Sequence, residues 1–408
     1  MTDEHSEVLI VGGGPAGSSL GFALAAAGID VHIVDRARFP RPKPCAEYLS
    51  PEASRILAAM GVLESVERSG AAALAGIRVR APNGSIIRGD FVASHGFRGY
   101  RDRGLSVRRE VLDAMLLDAA RAAGARVTER VRATDLIHER GRVRGVHVLD
   151  DGARRELRAR FTVGADGLRS IVARRLGLAR VARWPRRLAL VTHYAGVGDI
   201  GEHGEMHVER DGYVGIADVG SGVTTVALVV PASRSREIAG DRAAFLDRWL
   251  ASRAHLRPRF ANATRVSPVV ATGPFASHAR RAWAPGAALV GDAADFFDPF
   301  TGEGIYAGLR GGEMLSASIV EALQAASDTA ADAALARYDA SRRTEFSGKW
   351  TVERVIGLVV GSAPLINRAA RRLAARKDLA DLLIGVTGDF VPAREVVRPG
   401  YIWSVFGL

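Results

Sequence analysis

The chain has a single cysteine, Cys45, so no intrachain disulfide can form and a reducing compartment fits. It has no long apolar run. The stretch Val355 to Ile366 is broken by two glycines and a proline and is too short to span a bilayer. The opening MTDEHSEVLI lacks a basic segment and a cleavage site, and no export signal is expected. No internal repeat, low-complexity linker or nucleic-acid motif is visible. No residues have metal-ligand spacing, so no metal is expected, and no Gly-x-Ser-x-Gly nucleophile motif occurs. These absences leave a protein in a cytoplasmic setting whose chemistry must come from somewhere other than a metal or a serine nucleophile.

What is present is an ordinary globular mixture of 408 residues, 48% hydrophobic and 25% charged. That is enough chain for two closely packed domains. The net charge of +11 comes from dispersed arginines with modest clusters such as Arg371 to Lys377. Either they form solvated faces or they meet an anionic partner. The segment Val355 to Lys377 sets apolar residues beside Arg368, Arg371, Arg372, Arg376 and Lys377. That pattern suits a helix capping its own domain, or peripheral contact with an anionic membrane at the inner face.

Val8–Val11 reads as a buried strand, Pro15–Ala27 as a helix and Val31–Val34 as a second strand. Ser50-Pro51 opens a helix, Asn83-Gly84 turns a hairpin, and Arg108–Ala123 is an amphipathic helix. Strands dominate from Arg126 to Val163. From Leu188 to Val230 they form a mainly antiparallel sheet, and Asp241–Ala254 is a helix. Ala287–Val290 is a further buried strand. Helices follow from Glu303 to about Arg376. The expected division is one discontinuous domain of residues 1–74, 98–187 and 271–345, an inserted substrate-binding sheet of 75–97 and 188–270, and a helical C-terminal region of 346–408.

Gly12-x-Gly14-x-x-Gly17 lies between the first strand and helix. Gly12 permits the turn, Gly14 lets the backbone approach a pyrophosphate, and Gly17 lets helix pack on strand. Pro15 and Ala16 begin the helix whose N-terminus faces the phosphates. Asp35, followed by Arg36, ends the second strand where a ribose hydroxyl can be held. A second stretch, from Gly286 to Gly312, ends a strand in Gly291-Asp292. It then runs through Pro299, Gly302 and Gly304-Ile305 into a long helix. This presents a carboxylate and a helix N-terminus to the same ligand.

These segments, with LSVRREVLDAML and GADGLRS, occur in an order that resembles the flavoprotein superfamily of para-hydroxybenzoate hydroxylase-type aromatic hydroxylases and geranylgeranyl reductases. The resemblance implies an α/β fold: a Rossmann-like FAD-binding domain of the GR2 type, the inserted antiparallel sheet and the C-terminal helices. It implies tightly bound FAD, with Arg109 near the pyrophosphate, Asp166 near cofactor and pyridine nucleotide, and Asp292 on the ribityl chain. With no second glycine fingerprint in the chain, NAD(P)H is expected as a transient reductant.

Two reactions fit the resemblance. RPKPCAEYLSP and PFTGEGIYAGLRGG look like the reductases, including the cysteine matching Cys45. The Tyr-x-Trp-x-Phe-Pro type of segment that lines their lipid pocket is missing. The strands of Arg210–Val230 look more like hydroxylases of polyketides and lipid phenols. The first expectation is therefore a monooxygenase of secondary metabolism, hydroxylating a lipophilic phenolic or polyketide-like substrate with NAD(P)H and O2. The alternative is a reductase of isoprenoid C=C bonds. A third, of another class, is a flavoprotein without turnover that binds or senses redox state. The Trp-x-Trp-x-Ile-Pro motif of flavin halogenases is absent. Candidate catalytic residues are Cys45, beside Lys43 and Arg41, which can lower a thiol pKa, and His193 and Tyr213 on the predicted roof of the pocket. Tyr194, His207 and Asp298 are further polar candidates.

Overall fold

The computed structural model describes residues 4–45, 47–181 and 186–407; Met1–Asp3, at the start of the segment read for an export signal, lie outside them. β1 (Glu4–Val11) places Val8, Leu9 and Ile10 wholly out of solvent, as a central strand covered on both faces requires. α1 (Pro15–Ala26) starts on a proline, which suits the first turn because no amide donor is needed there. β2 (Val31–Asp35) runs parallel to β1, with Val8 opposite Val31. α2 (Pro51–Ala59) is capped by the Ser50 hydroxyl, which accepts from the Ala53 amide. β3 (Gly76–Arg80) and β4 (Ile86–Asp90) form the hairpin around Asn83-Gly84. α3 (Arg109–Ala122) buries Leu112, Leu116 and Leu117.

β5 (Arg126–Glu129) pairs in parallel with β2. β6 (Val131–Glu139), β7 (Arg142–Asp150) and β8 (Ala153–Gly164) form an antiparallel meander whose last strand returns parallel to β1. The inserted sheet then follows as β9 (Arg187–Ala195), β10 (His203–Glu209), β11 (Gly212–Asp218) and β12 (Val223–Pro231). Its order is β9–β12–β11–β10–β3–β4. Every neighbour along this path is antiparallel except β10 and β3, which run parallel. The exception is physical: the chain leaves β4, builds most of the first sheet, re-enters at β9 and reaches β10 from there, so no hairpin joins β10 to β3.

α4 (Arg242–Ala251) covers one face of this sheet, packing Phe245, Leu246 and Trp249 on Leu190, Val214 and Leu228. β13 (Ala287–Leu289) completes the parallel sheet in the order β13–β8–β1–β2–β5. α5 (Gly304–Gln324) crosses α1 closely; a Cβ on Gly312 would lie 2.9 Å from the Leu20 amide nitrogen. α6 (Asp328–Val360) begins against the parallel sheet, where Tyr338 donates to the Leu289 carbonyl, and ends over the inserted one. The boundary expected after residue 345 therefore falls inside one continuous helix. α7 (Ala363–Ala374), α8 (Lys377–Thr387) and α9 (Pro399–Phe406) carry the helical region past the expected Arg376. Among the described residues no helix is long and apolar enough to cross a membrane. The fold is the expected one: a Rossmann-like α/β domain, an inserted mainly antiparallel sheet and C-terminal helices.

Candidate active site and cofactor cradle

A cavity of about 1000 Å³ separates the two sheets. Its floor is the carboxyl ends of the parallel strands: Val11 and Gly12, Val34 and Asp35, Ala165 and Asp166, Gly291 and Asp292. This is where ligands meet open α/β sheets. Its roof is the inner face of the inserted sheet, mostly Ala189, Val191, Met206, Ala217, Ala227 and Val229, and one wall is the middle of α6.

The glycine loop divides its labour as the sequence suggested. Gly12 has φ +111°, and a Cβ there would lie 2.4 Å from the Ala165 carbonyl oxygen. A Cβ on Gly17 would lie 1.8 Å from the Gly12 carbonyl oxygen, and Gly17 does not line the cavity, so its role is packing. Gly14 differs: the nearest atom to its would-be Cβ is Arg41 Nη2 at 3.7 Å, and it borders the cavity with Pro15 and Ala16. Asp35 accepts from the amides of Gly13 and Ala37, both at 2.8 Å, fixing the loop to the end of β2 while bordering the cavity beside Arg36.

The second cradle segment faces the first. Asp292 borders the cavity with no hydrogen-bond donor among the described residues; burial pushes its carboxyl up, and Lys43 and Arg109 pull it back down. Asp166 Oδ2 accepts from the Ile171 amide at 2.6 Å and caps a short helix, whereas its buried Oδ1 has no partner. Burial pushes this carboxyl up as well. Gly291, Pro299, Gly302, Gly304 and Ile305 all line the cavity. The N-termini of α1 and α5 both open on it without a side-chain cap, leaving amide donors and the positive ends of two helix dipoles. An orphaned carboxylate oxygen, a donorless carboxylate and two uncapped N-termini call for a ligand that is both polyol and polyanion. The residues fit FAD.

Arg109 is buried and held by Asp113, Nε to Oδ1 at 2.7 Å and Nη2 to Oδ2 at 2.9 Å, with Arg41 at 3.3 Å from the same carboxylate. Burial opposes its charge, but Asp113 and Cys45 outweigh it and raise its pKa. Arg109 is thus the cation that reaches the Cys45 side chain, in place of the expected Lys43 and Arg41. Lys43 instead lies among Arg109, Asp292 and Asp113; burial and Arg109 push its ammonium down.

The strand candidates are not brought together. His193 does not line the cavity. Its Nε2 lies 2.7 Å from Glu47 Oε2 and its Nδ1 2.9 Å from Ser267 Oγ, so both ring nitrogens are engaged. Glu47, at φ +62°, also accepts from the Arg109 amide at 2.8 Å. His193 therefore clasps the inserted sheet to the basic loop and is not placed to touch a substrate. Tyr213 does line the cavity, but its hydroxyl donates to Asp298 Oδ1 at 2.6 Å, while Arg187 donates to Oδ2 at 2.5 Å. Burial and Asp298 push this phenol well up, so it cannot serve as a base. Tyr194 donates to Asp247 and His207 meets Glu205, neither bordering the cavity.

Sequence reasoning missed Glu47, Glu303, Lys349 and Glu353, all of which line the cavity. The signal for the last two was a helical one: Phe346, Lys349, Trp350 and Glu353 recur at the spacing of a single helix face, with charges set into an aromatic stripe.

The profile of the FAD binding domain family matches residues 5–349. Digeranylgeranylglycerophospholipid reductase 2 of Methanopyrus kandleri is 31% identical over 394 residues, covering 94% of this chain and 93% of the relative. Among solved structures, a flavin-dependent brominase superposes with a TM-score of 0.82 at 20% identity, over 94% of this chain and 93% of that one. A probable FAD-dependent monooxygenase from Pseudomonas aeruginosa superposes at 0.72 with 25% identity, over 89% of this chain and 98% of that one.

Proposed function

Because the chain belongs to the FAD binding domain family, we propose that this FAD-dependent oxidoreductase reduces isoprenoid C=C bonds in a lipophilic substrate. The observation that carries this reading is the near full-length match to a digeranylgeranylglycerophospholipid reductase. It favours the alternative weighed from the sequence over hydroxylation, which the sequence alone had put first. The missing Tyr-x-Trp-x-Phe-Pro segment weighed against it there; here the aliphatic roof of Ala189, Val191, Ala227 and Val229 takes the lining role. The brominase likeness, at 20% identity, speaks for the fold alone.

FAD bound here would supply hydride chemistry once reduced. The chain's own residues do the rest. The Gly14 amide and the uncapped α1 N-terminus would receive the pyrophosphate, with Asp35 beside the ribose. Asp292 would receive the ribityl hydroxyls, and the free amides of Glu303, Gly304 and Ile305 would stabilise negative charge on the ring. The roof excludes water and orients a flexible chain. NAD(P)H is the proposed transient reductant.

The same lipophilic substrate is reached from an anionic membrane, on this reading, through α7 and α9. Leu365 and Trp403 are exposed, Arg368 donates to the Gly407 carbonyl one turn after Trp403, and Arg372 lies beside it. That places guanidinium groups at the end of the helix that carries an exposed indole, the chemistry of an interfacial anchor. Sedimentation with anionic vesicles but not zwitterionic ones, weakened in Trp403→Ser, is expected; equal binding to neither vesicle type removes the membrane from the account.

The reaction is tested by reducing the flavin-loaded protein without oxygen and adding a geranylgeranyl glycerophospholipid. A mass gain of two hydrogens per double bond is expected. The second reading, monooxygenation, is favoured by the Pseudomonas aeruginosa likeness at 25% identity. It takes over if labelled O2 enters a phenolic product and the prenyl lipid is returned unchanged.

A further inference from the structure

Saturating a double bond takes a hydride on one carbon and a proton on the other, and the groups described so far leave the proton without a source. Cys45 is held by Arg109, Tyr213 by Asp298, and His193 is turned away from the cavity. The wall made by α6 supplies a candidate. Glu353 lines the cavity and is half-buried, so its side chain is not sealed. It has no hydrogen-bond partner among the described residues.

The groups around Glu353 come from several elements. Asp295 is claimed by Arg342, and Asp298 by Arg187 and Tyr213. Lys349, one turn back on α6, pulls the Glu353 carboxyl down, and it is claimed by Asp389 just beyond α8. Glu303, at the start of α5, is buried and its Oε2 has no partner. Lys349, Arg187 and Arg342 are thus already paired with other carboxylates, Arg354 lies over the Phe297 ring, and Asp295, Asp298 and Glu303 are acids. A second ionised carboxylate in that company is unfavourable.

We propose, resting on the reductase reading above, that Glu353 is the proton donor of the reaction. Its O–H bond breaks as the proton passes to one carbon of the substrate double bond, while the other carbon takes a hydride, two electrons and one proton in all, from the reduced cofactor. Glu353 is left as a carboxylate and recovers its proton from water through the cavity mouth. Burial and then Glu303 hold its carboxyl well above the usual range, which favours the protonated form. Glu303 itself is pushed up to about 8, chiefly by burial against the pull of Lys349. It is a second acid on the cavity lining.

The test uses Glu353→Gln, nearly the same shape without the acid. In the apoprotein, protonated-carboxyl absorption is expected in the infrared at neutral pH, and one component of it should be lost in the variant while that of Glu303 stays. In the flavin-loaded, pre-reduced protein, the single-turnover rate of double-bond saturation should fall about 100-fold or more, with lipid affinity and flavin content unchanged. The wild-type rate should decline at alkaline pH and the variant's should be flat. Glu353→Asp, which keeps the acid but withdraws it, should retain a carboxyl band and still be slow. A Glu353→Gln or Glu353→Asp rate within threefold of wild type, or a carbonyl spectrum unchanged by Glu353→Gln, overturns the proposal. If the wild type itself leaves the double bond intact, the reductase reading fails and takes this one with it. A wild type that reduces lipid alongside an equally active variant sinks only the proton donor.

Discussion

Gly14 and Gly17 belong to one loop and one motif, but their neighbours assign them different jobs. A side chain at Gly17 would collide with backbone, whereas one at Gly14 would project toward the cavity. Gly17→Ala is therefore expected to cost about 1–3 kcal/mol or more in the apoprotein, as overpacking does, and to lower its thermal midpoint. Gly14→Ala should leave the apoprotein midpoint nearly unchanged and weaken FAD binding, which fluorescence titration with FAD would measure. Equal effects of the two substitutions on the apoprotein would contradict this division. Tyr213 invites a similar test. Its hydroxyl is a buried fastening for Asp298, so Tyr213→Phe should destabilise by roughly 1–2 kcal/mol in denaturant titration while flavin content is preserved. The glycine pattern was readable because its chemistry is local. Glu47 was not, because its role depends on a left-handed backbone and on partners drawn from α3 and β9.

At the scale of elements, the outer part of β10 is tied down by charge. Burial pushes Glu205 up, but the hydrogen bonds from His207 and Arg259 outweigh it and hold it at about 2. His255 stacks on His207 and is held down to about 4, by burial first and then by Arg80. Both folded-state values lie below the unfolded ones, so both contributions are complete at neutral pH and are lost on acidification. His255's part fades between about pH 6.5 and 4, and Glu205's between about 4.5 and 2. Thermal midpoints should fall across these windows, and Glu205→Gln should flatten the lower one; an unaltered lower limb would show that the ties contribute nothing. The sequence made the individual elements legible through periodicity and capping, as at Ser50-Pro51. It did not make the parallel pairing of β10 with β3 legible, since that pairing is set by a crossover between distant segments. The face of α6 shows the same limit. Its spacing was available, but which cavity it would border depended on the packing of α5 and the inserted sheet.

At the scale of the whole molecule, the cradle is built from both ends of the matched region, Gly12 to Asp35 and Gly291 to Ile305. FAD should therefore act as a clamp on the entire fold. Removing it should lower the thermal midpoint, and restoring it to 1,000 times its dissociation constant should return about 4 kcal/mol. A midpoint indifferent to FAD would mean that the two halves are joined without it.

The α5 N-terminus has a consequence for biosynthesis. During translation the glycine loop emerges early, but the strand and turn at Ala287–Asp292 and the amides of Gly302–Ile305 emerge only when most of the chain has been made. A ribosome-bound fragment that ends before them presents half a cradle, together with a parallel sheet whose β13 edge is still bare. Flavin capture is thus expected late in synthesis, after both halves of the cradle have been made, and truncated fragments should lack FAD.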